Sequence, residues 1–218
     1  KRGVAALNDV DIIARERELD ALKTAANQLF EGRGHFVCTI GQAGLGKSRL
    51  KREFKAYLGE KVLSLEGTCF EHTQQTAYSV FISAIKAYLN IHENDSDEEI
   101  TEKLTFKVKN LFRNIEPSAS PGTGVNDDWS EEIIPYIGSQ LLSLRFEGER
   151  ADKIRYLDAE GRRRRTFAAV KDLLVAESKR HPIVLVLEDL HWIDQVSLEL
   201  IFFLMETVID EPILLFCL

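Results

Sequence analysis

Long apolar runs are missing from this chain of 218 residues. Nothing in it approaches the roughly 20 consecutive apolar residues that a bilayer-spanning helix needs, so no membrane span is expected. The N-terminal KRGVAALNDV lacks the continuous apolar centre of a secretory leader, and the chain reads as a piece of something longer. Excess positive charge is missing too. Lys and Arg number 28 against 35 Asp and Glu, a formal net charge of −7. Neutralising phosphates takes clustered cations, so a surface devoted to nucleic acid is not expected, although a local basic patch stays open. Cysteine is scarce. Cys38, Cys69 and Cys217 are odd in number, far apart and without metal-ligand spacing, which predicts free thiols in a reducing cytosol rather than a disulfide frame or a zinc site. Internal repeats and low-complexity tracts are absent. With 44% hydrophobic and 29% charged residues, what remains is a soluble, cytoplasmic chain with a sizeable core.

What is present centres on residues 41–48, GQAGLGKS, which fit G-x-x-x-x-G-K-[ST]. The apolar run Phe36 to Ile40 precedes them, giving the strand, glycine loop and helix start of a phosphate-binding loop. Gly41, Gly44 and Gly46 admit backbone conformations that a Cβ would block, so that N–H groups of Gln42, Ala43 and Leu45 can turn inward around an anion. Lys47 sets a point charge on the β/γ-phosphates, Ser48 offers a hydroxyl to Mg²⁺, and the helix running on through Arg49 adds its positive end.

Hydrophobic spacing then orders the chain. Leu19, Leu22, Ala26 and Leu29 predict a helix from Arg15 to Glu31, and Leu50, Phe54 and Tyr57 form the buried stripe of a second, ended by Gly59. Val62 to Leu65 is a short strand. Phe81, Ile82, Ile85, Tyr88 and Leu89 share a helix face, and Ser96 with Glu99 forms a capping box for the next helix. Residues 117–128 have no periodicity and read as a loop. Ser130 is expected to cap a helix carrying Ile133, Ile137 and Leu141, with Pro135 tolerated near its first turn. A long helix over 158–179 follows. Ile183 to Leu187 is the continuous apolar run of a central parallel strand, and Ile213 to Cys217 is a further strand after a helix from Gln195 to Val208. Alternating strands and helices predict an α/β fold, a mostly parallel sheet with helices on both faces. Residues 1–14 are read as a linker, 15–218 as the core, and 69–180 as helical insertion without strands.

Glu188 and Asp189 end the apolar strand, where ligands of open parallel sheets collect. Four apolar residues followed by two acids form the Walker B arrangement, one acid for Mg²⁺ and one for the attacking water. By register Glu188 serves the metal and Asp189 the water, but the shorter Asp suits water-mediated ligation as well, so both stand as candidates for metal and catalysis alongside Lys47.

GQAGLGKSRL, EGTCFEHTQQTAYSVF, RRRRTF and VLVLEDLHWIDQVSLELIFFL together resemble AAA-type P-loop ATPases of the signal-transduction (STAND) group, more narrowly the modules fused to class III nucleotide cyclases or to regulatory helical repeats. The resemblance covers nearly the whole chain from IIARERELDAL onward. It implies the additional-strand P-loop NTPase class, with sheet order 5-1-4-3-2 and the strands above as 1, 2, 3 and 4. Strand 5, the polar sensor after strand 4 and the helical lid are then expected beyond Leu218. The resemblance also implies ATP and Mg as ligands and an adenine contact by Ile13, Ala14, Arg15 and Glu16, where Ala14 replaces the family's glycine. His191, Trp192 and Asp194 match its HWxD signature. His191 either senses the γ-phosphate or packs, with Asp194 capping the next helix. Arg162 to Arg165 form either a solvated face or a reach toward a neighbour's γ-phosphate or an acidic partner. The implied function is an ATP-binding, ATP-hydrolysing switch joined to an effector, such as a cyclase, and open to self-oligomerisation. A non-hydrolysing nucleotide-binding scaffold is the alternative, and an origin-recognition-like DNA-binding ATPase a weaker third.

Overall fold

A computed structural model describes residues 15–41, 46–112 and 129–218. The expected linker, the loop over 117–128, and Ile13, Ala14, Gln42, Ala43, Gly44 and Leu45 lie outside the described residues. The elements run α1 (Glu16–Phe30), β1 (His35–Cys38), α2 (Lys47–Leu58), β2 (Leu63–Thr68), α3 (Ser79–Tyr88), α4 (Asp97–Phe112), α5 (Trp129–Tyr136), α6 (Glu149–Arg155), α7 (Ala159–Ser178), β3 (Ile183–Glu188), α8 (Gln195–Thr207) and β4 (Ile213–Cys217). The four strands are parallel and hydrogen-bonded in the order β1-β4-β3-β2, so the chain is α/β with the predicted 1-4-3-2 sequence of strands. Among the described residues no strand falls between 69 and 180.

The apolar runs of β3 and β4 are continuous because both of their faces are buried. Ile183, Leu185, Leu187, Ile213, Leu215 and Cys217 enter one core with α3, α4, α5, α7 and α8. Val184, Val186, Leu214 and Phe216 enter a second core with α1 and α2. There the Phe54 ring meets Phe216 edge-on, centroids 5.7 Å apart. Contact between α3 and β2 is direct backbone contact: a Cβ on Gly67 would lie 2.2 Å from the Val80 carbonyl oxygen, so only glycine fits there. The capping box forms, with Ser96 N–H donating to Glu99 Oε2 at 2.8 Å and Glu99 N–H to Ser96 Oγ at 3.3 Å.

Several boundaries differ from expectation. β1 stops at Cys38 rather than Ile40, and β2 runs on to Thr68 because it stays paired with β3 as far as Glu188. Leu58, not Tyr57, completes the buried stripe of α2; Tyr57 is exposed, its hydroxyl near Asn27. The spacing did not predict α6. Ser130 is not a cap: it lies inside the first turn of α5 and is fully buried. Pro135 is not in the first turn either. It sits just before a π-helical turn, Ile137–Leu141, and cannot donate to the Glu131 carbonyl one turn back. The Lys153 ammonium from α6 donates to that carbonyl at 3.0 Å and to Glu132 Oε1 at 2.5 Å. The unforeseen helix thus offsets the hydrogen bond the proline removes.

Candidate functional site

Parallel strands place their carboxyl ends together, and α2 begins at that edge. Gly46 precedes it in the left-handed region, φ 81°, a conformation glycine adopts without the Cβ penalty. Lys47 opens the helix, and its Nζ donates to the Gly41 carbonyl at 2.9 Å, so the lysine turns back over the loop it follows. Ser48 is exposed one residue on. Arg49 is half-buried, with Nε lacking a hydrogen-bond partner and 3.7 Å from Glu53. Arg15 stands just before α1 and pairs with Glu18 at 3.7 Å. Gly41, Gly46, Lys47 and Ser48 are therefore brought to one edge of the sheet, next to the end of β3.

Glu188 ends β3 with the side-chain parity of Val184 and Val186, and so turns toward α2. Its Oε1 accepts from Lys51 Nζ at 2.6 Å. Lys51 is one helical turn beyond both Lys47 and Ser48, so these three residues share a helix face. The same ammonium reaches Glu66 on β2 at 3.2 Å, and Lys55 also pairs with Glu66. Burial weighs against charge on Lys51, but its hydrogen bonds to Glu188 and Glu66 outweigh that and hold its pKa above the ordinary value. Glu66 is likewise penalised by burial, yet its bonds to Lys55 and Lys51 leave its pKa below the usual carboxylate value. Sequence reading missed Lys51 and Glu66. The available signal was the i, i+4 spacing of two lysines and a single charged residue in β2, invisible until β2 and β3 are placed side by side.

Asp189 parts from Glu188. It is exposed and left-handed, φ 56° and ψ 41°, and its carbonyl accepts from Trp192 N–H at 2.9 Å to close a short 3₁₀ turn, Leu190–Trp192. Its charge is felt by Cys69, which lies in the opposite core. The two acids thus address different faces of the sheet edge. His191 is exposed with its ring 5.0 Å from that of Trp192. Asp194 caps α8 as expected, accepting from Ser197 N–H at 2.8 Å. It also accepts from Ser197 Oγ at 2.6 Å and, across the fold, from Tyr78 N–H at 3.2 Å, Ser79 N–H at 3.0 Å and Ser79 Oγ at 3.1 Å. One buried carboxylate therefore caps α3 as well as α8.

The arginine run does not act as a unit. Arg162 donates to the Leu157 carbonyl at 2.8 Å, Arg163 pairs with Glu160 at 2.5 Å and with Glu199, Arg165 lies 3.8 Å from Glu132, and Arg164 is exposed. Three of the four tie α7 to its own surroundings. The cysteines, distant in sequence, converge: Cys38 and Cys217 are register partners on β1 and β4. All three are free thiols, Cys38 exposed and the others buried.

Among the described residues no group of three or more His, Cys, Asp or Glu could hold a metal ion. Among the described residues, the oxygen donors on the α2 side of this edge include the Ser48 hydroxyl and the Glu188 carboxylate. Two hard oxygens suit Mg²⁺, which keeps several waters and takes its remaining ligands from phosphates, better than a metal that needs a protein cage. Among the described residues no helix is long and apolar enough to cross a membrane.

A family model described as AAA ATPase domain matches residues 12–216. A hybrid signal transduction histidine kinase G of Dictyostelium discoideum is 26% identical over 198 residues, 90% of this chain and 5% of that protein. An uncharacterized protein of Rhizobium meliloti (strain 1021) is 24% identical over 214 residues, 94% of this chain and 18% of that protein. The chain thus spans less than a fifth of either relative. No solved structure matches it.

Proposed function

The chain belongs to the AAA ATPase domain family, and from that premise we propose that it is an ATP-binding and ATP-hydrolysing regulatory switch within a larger, cytoplasmic signalling protein. The observation that carries the reading is Glu188 turned toward α2, on Lys51, one turn from Ser48 and Lys47. A strand-end carboxylate beside the start of a glycine-loop helix is where a metal-phosphate group is held in this class of sheet. The loop 41–46 and Lys47 would take the β/γ-phosphates, and Ser48 with Glu188 would hold Mg²⁺. When bound, the metal supplies charge neutralisation between those phosphates. Asp189, on the exposed turn, would orient the attacking water, and Ile13 with Arg15 would contact adenine.

ATP and ADP differ only in the γ-phosphate, so a switch must read contacts to that group and pass them to a joined effector, a nucleotide cyclase or another output domain, or to a second copy. The resemblance to a signal transduction histidine kinase supports the signalling context. A non-hydrolysing scaffold is the second reading, favoured by the grip of Lys51 on Glu188.

The test is calorimetric titration with Mg·ATP. Lys47→Ala is expected to abolish binding while leaving the thermal midpoint unchanged, because it removes the fixed cation over the phosphates. Unchanged affinity would overturn the reading, as would GTP binding as tightly as ATP. Asp189→Asn should keep binding and stop turnover, whereas Glu188→Gln should weaken Mg·ATP binding. Wild-type turnover no faster than that of a variant combining Glu188→Gln with Asp189→Asn would leave the scaffold reading standing.

A further inference from the structure

The partner that Glu188 has is itself a cation. Lys51 Nζ lies 2.6 Å from Glu188 Oε1 and 3.2 Å from Glu66 Oε2, both distances within bonding range of a single ammonium. Glu66 and Glu188 stand on neighbouring strands with the same parity, since Glu66 is opposite Val186 and Thr68 opposite Glu188. Both therefore face α2, and the lysine enters between them. Its side chain is one-fifth exposed and its head shared. Lys55 holds the far side of Glu66, so these four side chains, two acids and two lysines, sum to zero charge.

We propose that Lys51 is an internal competitor for the metal at Glu188, and that Glu66 is the second seat to which its ammonium withdraws when the metal binds. This rests on the reading of Glu188 as the metal-side acid. A divalent cation and an ammonium cannot both sit within bonding distance of one carboxylate oxygen without strong like-charge repulsion. The lysine is already within reach of Glu66, so leaving Glu188 takes a change of side-chain rotamers and no movement of α2. The consequence is a metal site whose affinity is set by how readily Lys51 gives way. Metal-free nucleotide is tolerated because Glu188 is neutralised in place. Glu66 becomes a positioning residue that acts on the metal only through Lys51.

The experiment is a double-mutant cycle on the full chain, with Mn²⁺ as the probe and its free form read by electron paramagnetic resonance in the presence of saturating ADP. Lys51→Met keeps the stem and removes the competitor, and should tighten Mn²⁺ about tenfold. Glu66→Gln removes the second seat and should weaken Mn²⁺ by about the same factor. The deciding species is the double variant. With no ammonium to seat, Glu66→Gln in the Lys51→Met background should change Mn²⁺ affinity by less than about twofold. Plain through-space electrostatics predicts instead that the two effects add, and additivity would overturn the proposal. Lys51→Arg, which keeps a cation in place, should stay near wild type. If wild type binds neither ADP nor Mn²⁺ with ADP, the functional reading itself has failed. If it binds both and the cycle is additive, only this inference has. Thermal unfolding of each variant verifies that none owes its effect to misfolding.

Discussion

On the face covered by α1 and α2 the buried apolar set is small, built on Leu22, Leu29, Leu50, Phe54 and Phe216, and its polar groups stand at the rim: Lys51, Lys55, Glu66 and Glu188, none fully buried. On the opposite face the core runs through α3, α4, α5, α7 and α8, and its key polar group is Asp194, only 4% exposed. Both faces hold charge, but differently. The rim acids are neutralised by flexible lysines that a ligand can displace. Asp194 is spent on five donors, most of them fixed by backbone, and has nothing left to offer. One set of charges is partly solvated and paired through flexible side chains; the other holds two helix ends in place.

The sharpest way to break that contrast is to remove one acid from each set and compare stability. Asp194→Ala strands buried N–H groups at the starts of α3 and α8, and is expected to lower unfolding free energy by about 3–5 kcal/mol. Asp194→Asn, with one accepting oxygen, should lose about half as much. Glu66→Gln removes only partly solvated ion pairs and should cost under about 1 kcal/mol. Urea unfolding of the variants at neutral pH measures all of these. Equal losses for Glu66→Gln and Asp194→Ala would abolish the distinction between the two faces.

A second comparison sharpens the burial side. Cys69 and Cys217 have pKa values pushed up to about 12, by burial first, then for Cys69 by the charges of Asp194 and Asp189, and for Cys217 by Cys38 and Cys69. The fold thus favours their neutral thiols over the unfolded value of about 8.5. Their contribution to stability is fully present below about pH 8.5 and is lost as pH climbs toward about 12. Wild type should therefore lose more stability between about pH 8.5 and 10 than a Cys69→Ala, Cys217→Ala variant does. That difference cancels the buried tyrosines, whose values are also raised. At pH 8 a thiol reagent should modify Cys38 quickly and the other two only on unfolding. Rapid labelling of all three would show the face covered by α3, α4, α5, α7 and α8 to be open.

Much of this was legible from periodicity and motif. The uninterrupted run Ile183 to Leu187 announced a strand buried on both sides, and GQAGLGKS announced the start of α2 at the carboxyl edge of the sheet. Local rules misjudged Ser130, whose small hydroxyl looks like a cap but which the core buries, and Pro135, whose cost is met by a lysine 18 residues away. The same limit hid the double role of Asp194 and the Lys51 bridge. Each needs residues more than 100 positions apart in the chain, and neither periodicity nor spacing carries such information. Asp194 as the cap of α8 could be read from three residues; its bonds to Tyr78 and Ser79 could not.

A further small effect is expected at the seam between the two faces. Asp189 takes φ 56°, a left-handed conformation that costs most side chains about 1 kcal/mol and that Asp and Asn tolerate best after glycine. The turn needs it: the chain must leave β3, let the Leu190 N–H reach the Leu218 carbonyl at 3.3 Å, and close on Trp192 within three residues. If conformation rather than charge fixes this residue's contribution to the fold, stability should follow backbone tolerance. Asp189→Gly and Asp189→Asn should match wild type to within about 0.5 kcal/mol, and Asp189→Ala should fall about 1 kcal/mol below them. At Glu188, in ordinary strand geometry, alanine should show no such deficit beyond the loss of its ion pair with Lys51, in which each side chain is one-fifth exposed. Turnover separates the two properties, because all three Asp189 variants lack the carboxylate while only one is strained. Equal stability of the Ala and Asn variants would mean that the left-handed turn is not what holds this residue, and that its side chain reaches a partner strong enough to mask the strain.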